Sequence, residues 1–350
     1  MTLGYARAQR DLGCVYTLGF YVQEGKEDRN RKLSVRVRRP GVRAIHPSRY
    51  VVRSTSEKRQ SLLRAAWAAP DMFQTGILRA HVFPLRPSSK SSWDALLAIS
   101  FPVPLAGSSG RDVHREFGAV LHHGPRLAHR FVRRITLHPD NPGVTSEPVI
   151  TFLERVDLAP GKYTVTAVLS DPLDVDPHAT ELEIEVPEIP KRELMLVGPI
   201  LGRPAGPNLV VMNDGTEDGS AIRGESSFEP LLVRQVDGSS DLVSLTQACM
   251  FGSKKKLESA ASITRSLRSA DGREIGALEP VALSLEGEDR IRCQNLVDLL
   301  PGAALPGGDY IFEVDLETGR HGVDTQRTIR FAVGTGVDLI DEFTPTADSD

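Results

Sequence analysis

Cysteine is scarce in this chain: Cys14, Cys249 and Cys293 are the only three, and none stands in a CxxC or Cys/His spacing. That excludes a small disulfide framework and a zinc-finger type of site. Three buried thiols is the simplest account of them. Cys249 and Cys293, in expected strands of the same half, could alternatively pair across a sandwich in an oxidising compartment. Aromatic side chains make up 6% of the chain, with Trp67 and Trp93 the only tryptophans, which leaves little material for a sugar-stacking platform. No apolar run approaches the ~20 residues of a bilayer-spanning helix, so no membrane span is expected. The first ten residues lack a basic segment followed by an apolar one, so no signal peptide is read there.

At 350 residues the chain has room for about two domains, and 40% apolar with 25% charged residues is an ordinary globular balance. The net charge of −4 hides an asymmetry. Between Lys26 and Arg64 stand thirteen Lys or Arg against three acids, whereas residues 336–350 carry five acids and no base. In Lys32-Leu33-Ser34-Val35-Arg36-Val37-Arg38 the basic residues alternate with aliphatic ones, as on the wet face of a half-buried strand. No nucleic-acid module or aromatic platform accompanies the charge, so no nucleic-acid partner is expected.

The strongest pattern is an internal echo. Val156-Asp157-Leu158-Ala159-Pro160-Gly161-Lys162-Tyr163 returns as Val297-Asp298-Leu299, an insert, then Pro306-Gly307-Gly308-Asp309-Tyr310. Each Tyr opens an expected strand, and a second closes 23 residues later, at Val186 and at Val333. Period-two alternation, punctuated by Pro, Gly, Asn and Ser, predicts strands at 77–83, 95–101, 116–122, 129–137, 149–157, 163–169 and 182–186. A second set is predicted at 231–236, 242–251, 261–268, 281–285, 290–296, 310–316 and 328–333, after a Gly/Pro-rich lead-in at 198–207. Lys254-Lys255-Lys256 reads as a turn protected by charge. The expected fold is therefore mainly β, two tandem immunoglobulin-like antiparallel β-sandwiches over 75–190 and 194–335. A connector helix is expected over 54–74, started by Ser54, Thr55 and Ser56 and showing one apolar face through Leu62, Leu63, Ala66 and Trp67. An acidic, disordered tail is expected over 336–350.

Little here points to chemistry. Five histidines, His114, His122, His123, His129 and His138, fall within 25 residues, but the segment reads as a hairpin whose two faces separate them, so no metal site is expected. Gly161-Lys162-Tyr163 fails as a phosphate loop because the first Gly and the magnesium-binding hydroxyl are missing and a strand follows. The Gly107–Gly110 and Asp237–Asp241 segments are turns, without the strand-to-helix elbow of a serine nucleophile. Asp171, Asp174 and Asp176 lie in a Pro-containing loop best read as solvated. No nucleophile, base and orienting group occur together, so no catalytic residue, cofactor or enzymatic activity is expected.

The segment Asp11 to Tyr21, with Tyr16-Thr17-Leu18-Gly19-Phe20, followed by Lys32-Leu33-Ser34-Val35-Arg36-Val37-Arg38-Arg39-Pro40-Gly41 and Ser48-Arg49-Tyr50, resembles the end of the von Willebrand factor A-related domain abundant in acidobacteria. Phe20-Tyr21 and Ser48 depart from the commonest family pattern. A helix ending in Ala-x-Pro and a sandwich with Leu-x-Pro-Gly-x-Tyr also look like the C-terminal region of those proteins. The resemblance implies that residues 1–53 are the C-terminal remnant of an A-type α/β domain, without its Asp-x-Ser-x-Ser metal motif. It also suggests an extracytoplasmic location, in the cell envelope or secreted. The start is then expected to be internal to a longer gene, or to dock on another molecule. The apolar faces of two expected strands, Val15, Leu18, Phe20 and Val22 with Val35 and Val37, become a candidate interface. The resulting expectation is a non-enzymatic protein-interaction or scaffold module, with protein the expected partner and no oligomeric state assigned. The alternative is an accessory or carbohydrate-binding region of a cell-envelope enzyme.

Overall fold

The structure is a computed structural model that describes residues 30–36, 38, 47–51, 55–103, 112–137, 149–170, 176–190, 194–204, 209–213, 228–233, 235–238, 241–251, 261–285, 291–317 and 323–334. The chain divides into two compact units, residues 1–61 and 62–350. In the first unit, β1 (Asn30–Lys32) pairs antiparallel with β2 (Arg49–Val51), matching Arg31 to Tyr50. The strand expected over 32–38 stops at Lys32, although Leu33 and Val35 are still half-buried and Ser34 and Arg36 exposed. The sequence also suggests a short helix over 3–12 and an apolar strand over 14–22; both lie outside the described residues, as do Lys254-Lys255-Lys256 and the tail.

Helix α1 (Thr55–Ala68) carries Glu57 in its first turn, where a carboxylate meets the positive end of the helix dipole. It ends where the residue before a proline is pushed out of the helical region: Ala69 sits at φ −146°, ψ 69°, and Pro70 opens a short 3-10 turn, Pro70–Phe73. Ala66, fully buried, packs with Trp67 and Phe73 against Val168 and Ala179.

In the second unit the chain is mainly β. Its first sandwich comprises β3 (Arg79–Pro87), β4 (Trp93–Pro102), β5 (Val113–His123), β6 (Arg126–Leu137), β7 (Val149–Leu158), β8 (Gly161–Ser170) and β9 (His178–Val186). β3, β4 and β7 form one sheet, and β6, β5, β8 and β9 the facing one. Alternate residues of β4, from Trp93 through Ala95, Leu97 and Ile99 to Phe101, enter the space between the sheets, as the two-residue period of a strand requires. Phe117 lies at its centre, with its ring 5.0 Å from Phe152 and 5.2 Å from Phe101. The indole N–H of Trp93 donates to the Pro187 carbonyl at 2.8 Å, so the buried ring leaves no polar atom unpaired.

The second sandwich comprises β10 (Leu194–Pro204), β14 (Leu242–Phe251), β15 (Ser262–Ser269), β16 (Glu274–Ala282), β17 (Ile291–Leu300), β18 (Gly308–Glu317) and β19 (Val323–Gly334). Three shorter strands lie between β10 and β14: β11 (Leu209–Asn213), β12 (Phe228–Pro230) and β13 (Gln235–Asp237). β12, β10, β14 and β17 make one sheet; β13, β19, β18, β15 and β16 make the other. Without the short strands the order repeats that of the first sandwich. β10, β14 and β17 correspond to β3, β4 and β7, and β16, β15, β18 and β19 to β6, β5, β8 and β9.

Three sequence expectations need correction. The lead-in at 198–207 is mostly strand: β10 runs through Gly198 and Pro199 by means of a register shift between Val197 and Ile200. The strand expected at 281–285 is displaced to β16, an edge strand exposed along most of its length and so without a core-facing alternation to read. The strand expected at 231–236 is replaced by β12 and β13 on either side of an irregular stretch. In addition, β11 leaves the second half of the chain and pairs parallel with β7 of the first sandwich, Leu209 against Ile150.

Candidate functional site

The echoed motifs hold equivalent positions in the two sandwiches, but only in part. Tyr163 and Tyr310 are each the third residue of their strand, and Gly161 pairs with Val186 as Gly308 pairs with Val333. Both glycines have positive φ, 135° and 153°, a region that favours residues without a Cβ. Each tyrosine hydroxyl donates to the carbonyl four residues upstream, Tyr163 to Ala159 at 2.8 Å and Tyr310 to Pro306 at 2.6 Å. These are the tyrosine corners of sandwich folds. Burial raises the Tyr163 pKa above its usual value, with the bond to Ala159 opposing.

The Val-Asp-Leu part of the echo is one residue out of phase. Val156 and Leu158 are buried with Asp157 exposed, while Val297 and Leu299 are exposed with Asp298 buried. Leu158 and Leu300, each the last residue of its strand and nearly inaccessible, are the true counterparts. The slip has two chemical results. It drives Asp298 into the core of the second sandwich and turns Val297 and Leu299, 67% and 60% exposed, out to solvent.

Asp298 meets Arg265, which points inward from β15; the charged atoms are 3.4 Å apart and both side chains are under 10% exposed. Arg265 also donates to the Glu279 carbonyl. Burial raises the Asp298 pKa, with the attraction of Arg265 opposing it.

A second polar cluster lies where the two sandwiches meet. Glu229 of β12, 2% exposed, accepts from Arg203 of β10 at 3.0 Å and from Thr151 of β7 at 3.0 Å. Thr151 belongs to the first sandwich and Arg203 to the second, so one carboxylate ties them together. Around it the outer face of β3, β4 and β7, with Phe83, Leu96, Ala98 and Leu153, packs against Ile200 and Val210. The outer face of β4 is therefore also covered, and its burial is nearly continuous. His81 is on this same side of β3, its ring 4.5 Å from that of Phe83, and burial lowers its pKa to about 4.

Cys249 and Cys293 form a disulfide. They are directly opposed residues of the neighbouring strands β14 and β17, so the bridge lies within one sheet and not across the sandwich. Cys249 is fully buried and packs with Met195 and Val197 among residues of the first core.

The histidines are dispersed. His114 bonds Thr136 at 2.9 Å, His123 stacks on Tyr163 at 4.7 Å, and His129 reaches the buried Glu154 at 3.1 Å. His122 is part-buried, and His138 lies outside the described residues. Among the described residues no three His, Cys, Asp or Glu side chains are grouped to hold a metal ion. Asp176 is exposed, while Asp171 and Asp174 lie outside the described residues. Of the candidate interface, Val35 alone is described, half-buried and outside any strand; Val15, Leu18, Phe20, Val22 and Val37 are outside the described residues. Trp93 is in the core and Trp67 faces β8 and β9, so neither forms a sugar platform. No described helix is long and apolar enough to cross a membrane.

No protein-family model and no curated protein matches the sequence. Among solved structures, red sea bream transglutaminase is similar over 79% of this chain and 34% of that one, at 12% identity and a TM-score of 0.22. The D1–D4 ectodomain fragment of ICAM-5 is similar over 75% of this chain and 55% of that one, at 14% identity and a TM-score of 0.19. A calcium-binding mutant of Bacteroides uniformis β-glucuronidase 2 is similar over 73% and 28%, at 9% identity and a TM-score of 0.23. The chain thus spans about half or less of each of these proteins, and likenesses this faint carry no argument about activity.

Proposed function

We propose that this chain is a non-enzymatic interaction or scaffold module, similar to the region that follows the A domain in von Willebrand factor A-related bacterial proteins. The observation that carries this reading is the seam between the sandwiches. A strand from the second half completes a sheet of the first, Glu229 bonds both halves, and apolar residues fill the space around it. Such a joint resists the hinge motion expected of domains linked by a small polar interface, which suits a spacer that holds partners at fixed separation. The Cys249–Cys293 bridge supports an oxidising, extracytoplasmic setting. The partner is a protein; the reading includes neither nucleic acid nor cofactor.

Immobilised full-length chain, offered separately a panel of glycans and purified A domains from related proteins, tests this. Saturable binding of an A domain with no glycan retained is the expected result. Stoichiometric glycan binding would move the assignment to an accessory carbohydrate-binding region, and turnover of a bound compound would refute the non-enzymatic reading.

A further inference from the structure

Long edge strands expose unpaired backbone donors and acceptors, and proteins usually guard them with outward charge, inward-pointing charge, proline, bulges or brevity. In the second unit most described edges show such a guard. β11, β12 and β13 have five residues or fewer. β3 contains Pro84 and a register shift; β16 contains Gly276, Pro280 and two shifts. β9 presents Glu181, Glu183 and Glu185, and β6 carries Arg126, Arg130, Arg133 and Arg134.

β17 is different. It ends its sheet, pairs with β14 over ten residues without a register shift, and contains neither proline nor glycine. Its two charged residues, Arg292 and Asp298, are on the inward face, so inward-pointing charge is the one guard it carries. On the outward face stand Cys293, Asn295, Val297 and Leu299, uncharged throughout. That face continues the seam: Val297 pairs with Leu245, which packs at the seam beside Ile200, and Cys293 packs against the first core. The surface covered at one end of β17 is bare at the other.

We propose that β17 is a self-association edge, pairing antiparallel with β17 of a second copy about a twofold axis through Val297. A copy of this strand suits the site because its outward face brings no like charges together. The register centred on Val297 places Val297 against Val297 and Leu299 against Asn295. It also sets each Asp298 opposite Leu296, keeping the two carboxylates from facing each other. The joined sheets form one continuous eight-stranded sheet. This assignment is independent of which protein the scaffold holds.

Full-length protein in a Cys14→Ser background is studied by sedimentation over its soluble concentration range. A concentration-dependent dimer is expected, and Val297→Lys or Leu299→Lys should raise its Kd by at least about tenfold. Both side chains are exposed, so the thermal midpoint of the monomer should not move. Val297→Cys should form a symmetric intermolecular disulfide under mild oxidation, and Leu299→Cys alone should not. A monomer at every concentration overturns the proposal, as does a dimer indifferent to both lysines. A monomer that instead captures an unrelated extended apolar peptide through β17 also overturns the assignment to a second copy.

Discussion

Replacing Asp298 by alanine should be among the most damaging single changes in the second sandwich. At 3.4 Å and an effective dielectric constant of ~20, the attraction between Arg265 and Asp298 is about 5 kcal/mol. Burial nevertheless leaves the Asp298 pKa raised, so desolvating the carboxylate costs more than the guanidinium returns. Two opposite expectations follow for the single and double changes. Asp298→Ala strands a buried guanidinium with the Glu279 carbonyl as its remaining partner shown, and should cost about 3–5 kcal/mol. Asp298→Leu combined with Arg265→Met removes both charges and should leave stability within about 1 kcal/mol of the parent, or above it. The pH dependence has a definite sign. A carboxyl with a raised folded pKa contributes stability fully present below its unfolded pKa and lost as pH rises through the folded one. The stability of the parent relative to Asp298→Asn should therefore be greatest at acid pH and decline as pH climbs. Urea unfolding followed by far-UV circular dichroism, with amide exchange of β15 and β17, measures this; tryptophan fluorescence does not suffice, since Trp67 and Trp93 both lie outside the second sandwich. An Asp298→Ala protein within about 1 kcal/mol of the parent, or a double variant worse than the single one, would refute the reasoning.

Tyr163→Phe and Tyr310→Phe should each cost about 1 kcal/mol, since each removes one equivalent hydrogen bond; calorimetric midpoints that differ greatly between the two would separate the corners. Replacing Cys249 and Cys293 by alanine opens a cross-link between residues 44 apart, for which chain entropy gives an upper value of about 4 kcal/mol; denaturant midpoints of the oxidised parent and the variant check this. His81, unfolded near 6.5 and folded near 4, contributes stability that is present above pH 6.5 and lost as pH falls through 4. The loss should be on the order of 3 kcal/mol, and His81→Phe should flatten the stability curve over that window.

The parts of the fold legible in the sequence are those where one strand face is wet and the other dry. β9, β15, β18 and β19 have that alternation, whereas β8 is buried on both faces from Val165 onward because the helix covers its outer side. The spacing from each tyrosine to its closing valine matches the register of β8 on β9 and of β18 on β19. β10 escaped because the Gly198-Pro199 pair looks like a loop when the register shift that absorbs it is unseen. β16 escaped for the opposite reason: an edge strand open to water on most of its length has no apolar side to repeat. The parallel pairing of β11 with β7 is a tertiary fact. Nothing in Leu209-Val210-Val211-Met212-Asn213 says which sandwich will bury it.

The misaligned Val-Asp-Leu is the more instructive case, because identical residues were given opposite faces. In both copies the face assignment is set from the tyrosine corner backwards, by which residue of the preceding strand closes the core beside the Tyr. In the first copy Leu158 does so, two residues before the corner turns. In the second, an added leucine, Leu300, takes that place ahead of the longer turn through 302–304, and every preceding side chain changes sides. One residue in the strand thereby buries Asp298, which then requires Arg265 from the facing sheet, and exposes Val297 and Leu299 on an edge guarded by inward-pointing charge alone. The charged pair in the core and the bare apolar edge are consequences of the same shift in phase.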